Sequence, residues 1–160
     1  MSRARLSSFS VLALVVPMVI ACAVACGPQQ PAKVESVVVE APPRDGVFLH
    51  VSHGPEDPHR VLMALRMAEI MAADHDVLVY FDITGIEAVL ADAPDLEMAP
   101  FGSSRETIAA LVEGGVSVYA CPACLEAAGK TADDLMPGVR IADKNAFFNF
   151  TEGRILTLDY

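Results

Sequence analysis

Two cysteines stand three residues apart in Cys121-Pro-Ala-Cys124. They follow Val116-Ser-Val-Tyr-Ala, a short β-branched run of the kind that forms a buried strand, and lead into a helix-forming stretch that stops at Gly129. Pro122 suits the first position of that helix, where a missing N–H leaves no bond unmade. Cys121 therefore falls at the helix start, where free N–H groups and the macrodipole favour a thiolate. Cys124, one turn on, is close enough to form a disulfide with it or to share a ligand. Three chemistries are open to this pair: a nucleophilic thiolate, a dithiol/disulfide couple, or zinc or copper(I) binding completed by imidazole.

Four histidines bear on the choice. His53 opens the loop His53-Gly-Pro-Glu-Asp57 after a predicted strand over residues 46–52 and is the candidate polar neighbour of the cysteines. His50 lies three residues earlier, so on an extended segment it points to the other face and reads as a core residue. His59 sits near the start of the next helix, and His75, between Asp74 and Asp76, reads as an inert surface residue. Tyr80, Asp82 and Tyr119 lie near strand ends, where aromatic residues usually pack; Phe147, Phe148 and Asn149 could wall a crevice, with core packing the plainer reading. No P-loop, GxGxxG, HExxH or GxSxG motif occurs, so the usual signatures of nucleotide-dependent and serine hydrolase chemistry are missing.

The elements that must position these groups come in a chain of 160 residues, enough for one domain once a targeting segment is set aside. Lysine and arginine number 11 against 21 aspartates and glutamates, so no basic stripe is available for nucleic acid. Residues 1–26 read as an export signal: Arg3 and Arg5 precede an apolar run too short for a comfortable membrane span. Its end holds two stretches resembling a bacterial lipobox, Val19-Ile-Ala-Cys22 and Ala23-Val-Ala-Cys26. Cys26 is favoured as the lipidated residue because polar Gly27-Pro-Gln-Gln-Pro follows it; Cys22 is the alternative, and an ordinary cleaved signal the plainer one. With no Asp after either cysteine, the expected location is the cell envelope, lipid-anchored at the periplasmic face of the outer membrane. Residues 27–45, with four prolines, read as a tether. Two cysteines then remain for the domain, so a cystine scaffold is not expected.

From residue 46 onward strands and helices alternate. Helix signals begin at Asp57-Pro58, which predicts a helix to about residue 73 that is apolar on two sides, a face suited to a subunit interface. A strand over 76–82, a short helix over 85–90 and an irregular loop over 91–102 follow. Ser103-Ser-Arg-Glu106 then opens a helix ended by Gly114-Gly115. After the cysteine turn come a helical turn over 133–136, a strand over 139–142, a helix over 143–148 and a last strand over 155–158. This alternation implies a mostly parallel five-stranded sheet covered on both faces. In the flavodoxin-like order 2-1-3-4-5, strands one and three are neighbours, and the loops carrying His53 and Cys121 face one another across a crevice.

From about Asp45 to Tyr160 the chain resembles the DsrE/DsrF/TusD-like proteins, small α/β domains of sulfur relay and related groups. The carrying stretches are Gly46-Val-Phe-Leu-His-Val-Ser-His-Gly54, Gly115-Val-Ser-Val-Tyr-Ala-Cys-Pro-Ala-Cys-Leu125 with Gly129, and Asp134-Leu-Met-Pro-Gly-Val139. The resemblance implies a three-layer flavodoxin-like (DsrE-like) fold, homo-oligomers, and sulfur accepted as a persulfide on Cys121. Cys124, the His50/His53 pair and the export signal depart from the relay members. The expected function is a thiol- or sulfur-handling protein, with Cys121 reactive, Cys124 resolving and His53 beside them, acting with a sulfur donor or thiol partner and no cofactor. The alternative is a zinc- or copper-binding, or purely interacting, module built on Cys121, Cys124 and His53.

Overall fold

The computed structural model describes residues 41–160; the expected signal over 1–26, Cys22, Cys26 and the tether up to residue 40 lie outside the described residues. The first strand, β1 (Gly46–Val51), is followed by helix α1 (Pro58–Met71), which starts where expected: Asp57 accepts from the Arg60 N–H, and Pro58 occupies the first turn. Strand β2 (Asp76–Phe81) runs into a 3-10 helix, Ile83–Val89. The stretch read as an irregular loop holds a small antiparallel pair, β3 (Glu97–Met98) and β4 (Gly102–Ser103). Helix α2 (Ser104–Glu113) is capped by the Ser103 hydroxyl, which accepts from the Glu106 N–H. Strand β5 (Ser117–Ala120), helix α3 (Pro122–Ala127), strand β6 (Arg140–Ile141), helix α4 (Ala146–Asn149) and strand β7 (Ile155–Asp159) complete the chain.

The five long-range strands form one parallel sheet in the order β6-β5-β2-β1-β7. The α/β class and five-stranded parallel sheet are as expected, and so are the neighbour pairs β1–β2 and β5–β6. The remaining order corrects the sequence reading. Counted along the chain, it is 4-3-2-1-5: strand two lies between strands one and three, and the last strand joins the first. Each of the first three crossovers reaches the adjacent position, the commonest choice, and only the last returns across the sheet. The order therefore reverses between β1 and β7.

That path also sorts the layers. Right-handed crossovers marching in one direction place their helices on one face, and the returning connection lies on the other. On the first face α1 and α2 cover a core built from Val47, Leu49, Val51, Val79, Phe81, Val118 and Ala120, with Val61, Leu65, Ala68, Ile108 and Leu111 from the helices. On the second face α4 gives partial cover: Phe147 packs edge-on against Phe48 and Tyr80, at 5.7 and 5.0 Å between ring centroids. Burying one apolar face and leaving the other half open is what keeps polar side chains on the sheet accessible. On α1, the expected second apolar stripe is graded: Met63 and Met67 are half-buried and Ile70 is exposed.

Candidate functional site

In a parallel sheet, residues in register point to the same face. On the open face this brings one residue from each strand into a row: Asp159 (β7), His50 (β1), Tyr80 (β2), Tyr119 (β5) and Arg140 (β6). Two residues further along, Asp82 and Cys121 leave β2 and β5 on that same face. The cysteine turn therefore sits above a row of polar and aromatic side chains.

Cys121 is the N-cap of α3, with extended backbone, as strand–Pro–helix chemistry requires. Its sulfur closes no capping hydrogen bond. Partial burial opposes its ionisation. The Tyr80 hydroxyl, the first-turn N–H groups of Cys124 and Ala123, and the Cys124 thiol outweigh that, and its pKa falls below the ordinary thiol value. Cys124 moves the other way: burial, then its hydrogen bond to Cys121, raise it, against the Ile83 N–H donated to its sulfur at 3.2 Å. Burial and the neighbouring Cys121 also push the Tyr80 phenol well up, so it stays protonated beside the thiol. Both sulfurs are half-buried free thiols. The division is clear: one nucleophile, one protonated neighbour.

The Tyr80 ring is fixed by its surroundings. It stacks on His50, with centroids 6.0 Å apart and planes at 24°, and on Phe48, and takes the Phe147 edge. His50 is itself clamped: Nδ1 lies 2.8 Å from Asp159 Oδ1, and Nε2 lies 2.9 Å from Asp82 Oδ1. The Asp82 contact is ionic without hydrogen-bond geometry, which leaves that buried oxygen without a hydrogen-bond partner. Burial disfavours the imidazolium, but the two carboxylates prevail and raise the His50 pKa. Next to Asp82, Ile83 holds φ of +48°, a left-handed conformation costly for a β-branched residue, and in it aims its N–H at Cys124.

The structure brings Cys121 and Cys124 together, as their spacing requires. It does not bring the His53 loop to them, because the end of β2 intervenes. His53 Nδ1 is 3.1 Å from Ser52 Oγ, and its backbone packs on Gly85. His59 lies against Phe101, and His75 Nδ1 is 2.6 Å from Asp74. Among the described residues no three His, Cys, Asp or Glu side chains converge as a metal-ligand set. Among those residues, too, no helix is long and apolar enough to cross a membrane.

Sequence reasoning passed over Tyr80, Asp82 and Asp159 and assigned His50 to the core. The period-2 signal was present, since Tyr80 and Asp82 alternate with buried Val79 and Phe81, but which face stays open depends on the returning crossover.

The model of the DsrE/DsrF-like family matches residues 45–152. Among solved structures, the chain is similar to a protein of unknown function, MTH1491, from Methanobacterium thermoautotrophicum, at 20% identity and TM-score 0.54, over 71% of this chain and 98% of that one. It is similar also to the ychN protein from E. coli, at 16% identity and TM-score 0.51, over 72% of this chain and 99% of that one. At such identities the likeness concerns the fold alone. No curated protein matches the chain. With the family's model spanning most of the domain, the chain belongs to the DsrE/DsrF-like family.

Proposed function

We propose that this domain handles thiol-bound sulfur, with Cys121 as the atom that accepts it and Cys124 as the resolving thiol. The family is associated with sulfur relay and thiol handling. The observation that carries the finer reading is the place of Cys121, the N-cap of α3 at the end of β5 on the open face, with Cys124 one turn on and its sulfur taking the Ile83 N–H at 3.2 Å; the lowered pKa of Cys121 and the raised pKa of Cys124 agree with it. A thiolate at Cys121 attacks the terminal sulfur of a polysulfide; a new S–S bond forms, the donor's S–S bond breaks, and the shortened polysulfide leaves with the electron pair. The persulfide on Cys121 then passes its outer sulfur to an acceptor thiolate. Alternatively Cys124 attacks Sγ of Cys121, hydrosulfide leaves, and the disulfide formed is reset by a thiol reductant. The signal and lipobox-like stretches of residues 1–26 support placing this chemistry in the cell envelope, on a lipid anchor.

Mass spectrometry of the chain after exposure to polysulfide tests the reading. The expected result is the added mass of one sulfur atom on the peptide bearing Cys121, absent in C121S and accumulating in C124S. Added sulfur retained in C121S would overturn it.

A further inference from the structure

The parallel ladder between β2 and β5 ends with one donor left over. The Cys121 N–H reaches the Phe81 carbonyl at 2.9 Å, and one further step of the ladder would give the Ile83 N–H to the Cys121 carbonyl. That carbonyl is taken, because it accepts the Leu125 N–H at 3.0 Å in the first turn of α3. The Ile83 N–H goes instead to Cys124 Sγ, at 3.2 Å.

The turn that delivers this N–H is held from the β1 side. The Asp82 N–H donates to the Val51 carbonyl at 3.1 Å, the Gly85 N–H to the Asp82 carbonyl at 2.7 Å, and Thr84 Oγ1 to the Ser52 carbonyl at 3.2 Å. Between these bonds Ile83 keeps its φ of +48° while remaining exposed, so packing of its side chain is not what fixes the strained conformation. A neutral thiol is a weak acceptor and returns little for that strain. A thiolate accepts a charge-assisted bond, roughly twice as strong.

At rest Cys124 holds its proton. Burial, the hydrogen bond to Cys121 and the charges of Cys121 and Asp82 oppose its ionisation, and the Ile83 N–H favours it. Tyr80, protonated beside Cys121, adds no charge. Sulfur taken up by Cys121 moves the negative charge from its Sγ to the outer sulfur, which lifts the nearest restraint on Cys124 and leaves the backbone donor in place.

We propose that the Ile83 N–H is a catalytic donor of the resolving step, stabilising the negative charge that develops on Cys124 Sγ as this thiol attacks a loaded Cys121. The inference rests on Cys121 being the sulfur acceptor and Cys124 the resolving thiol. In the step, starting from the persulfide anion, the Cys124 proton passes to the outer sulfur and Cys124 Sγ bonds Cys121 Sγ. The persulfide S–S bond breaks, and the outer sulfur leaves with the electron pair as hydrosulfide.

Two measurements on the full chain test this. The first is an NMR pH titration of C121S, in which Cys124 ionises without its partner. The Ile83 amide proton should move downfield with the same midpoint as Cys124 Cβ, because the bond strengthens as the charge forms. An Ile83 amide that ignores the Cys124 titration overturns the proposal. The second follows, by mass spectrometry after a pulse of polysulfide, the loss of added sulfur from Cys121. I83G and I83P both remove the side chain, but glycine keeps the N–H and adopts the left-handed turn freely, whereas proline has neither property. The persulfide should last about tenfold longer in I83P than in I83G, the effect of one hydrogen bond to a charged group. Equal lifetimes in the two variants, both folded by amide dispersion, overturn the proposal; if I83P does not fold, the C121S titration decides. Absence of added sulfur on Cys121 in wild type, with the Ile83 amide still following Cys124, overturns the sulfur reading on which the step rests and not the bond itself.

Discussion

His50 on β1 and Asp159 on the edge strand β7 are joined by a 2.8 Å contact, Nδ1 to Oδ1, while the other ring nitrogen meets Asp82. Two carboxylates on one imidazole hold its proton more tightly in the folded chain than in the unfolded one, overcoming the burial that opposes charge. The stabilisation is complete below the ordinary histidine value of 6.5 and is lost as pH rises through the higher folded value. Urea unfolding at a series of pH values should therefore show wild type losing stability in that window, with D159N flatter by about 0.5–1 kcal/mol, the scale of an exposed ion pair. Identical pH slopes in wild type and D159N would show that the clamp contributes nothing.

Tyr80 is expected to set the reactivity of Cys121. A hydrogen bond to a charged group contributes about 1.5 kcal/mol, or roughly tenfold in thiolate fraction. Y80F should thus lower the rate of iodoacetamide labelling at Cys121 near neutral pH about tenfold and move the labelling midpoint to higher pH. Unchanged labelling in a folded Y80F protein would remove Tyr80 from the site.

The left-handed Ile83 stores strain beside the thiols. The residue is 63% exposed, so little burial is lost on replacement. Asparagine tolerates this conformation, and I83N should stabilise the domain by about 1 kcal/mol. The corresponding rise in Tm is about 4 °C by calorimetry. A lower Tm would mean that the Ile83 side chain holds the turn in place.

Gly85 lets the 3-10 helix Ile83–Val89 lie directly on β1. A methyl group there would run into the carbonyl of Val51, backbone against backbone, with the His53 carbonyl close behind. The clash cannot be relieved by a rotamer change. G85A should cost about 2 kcal/mol or more in chemical unfolding. It should also slow Cys121 labelling, because lifting this helix disturbs Asp82 and Ile83. Stability within error of wild type would show that the helix can shift freely.

Much of the architecture was legible in the chain because its causes are local. β-branched runs made β1, β2 and β5 visible, Asp57-Pro58 and Ser103 marked the starts of α1 and α2, and Pro122 marked α3. The position of Cys121 at a strand-to-helix junction followed from a dozen neighbouring residues. The 3-10 character of Ile83–Val89 and the β3–β4 pair were not legible, since short elements carry little periodic signal.

The neighbours of the thiol belong to another level. Local pattern named two cysteines and the helix start that favours a thiolate at the first, and it chose His53 as companion by assuming that strands one and three touch. Strand order is a property of the whole chain: β7 closes on β1, β2 comes to lie beside β5, and the returning crossover leaves the opposite face half open. Tyr80, His50, Asp82, Asp159 and Arg140 share a surface for that reason alone. Residues far apart in the chain become chemical neighbours through register, and register across five strands is settled when the sheet assembles.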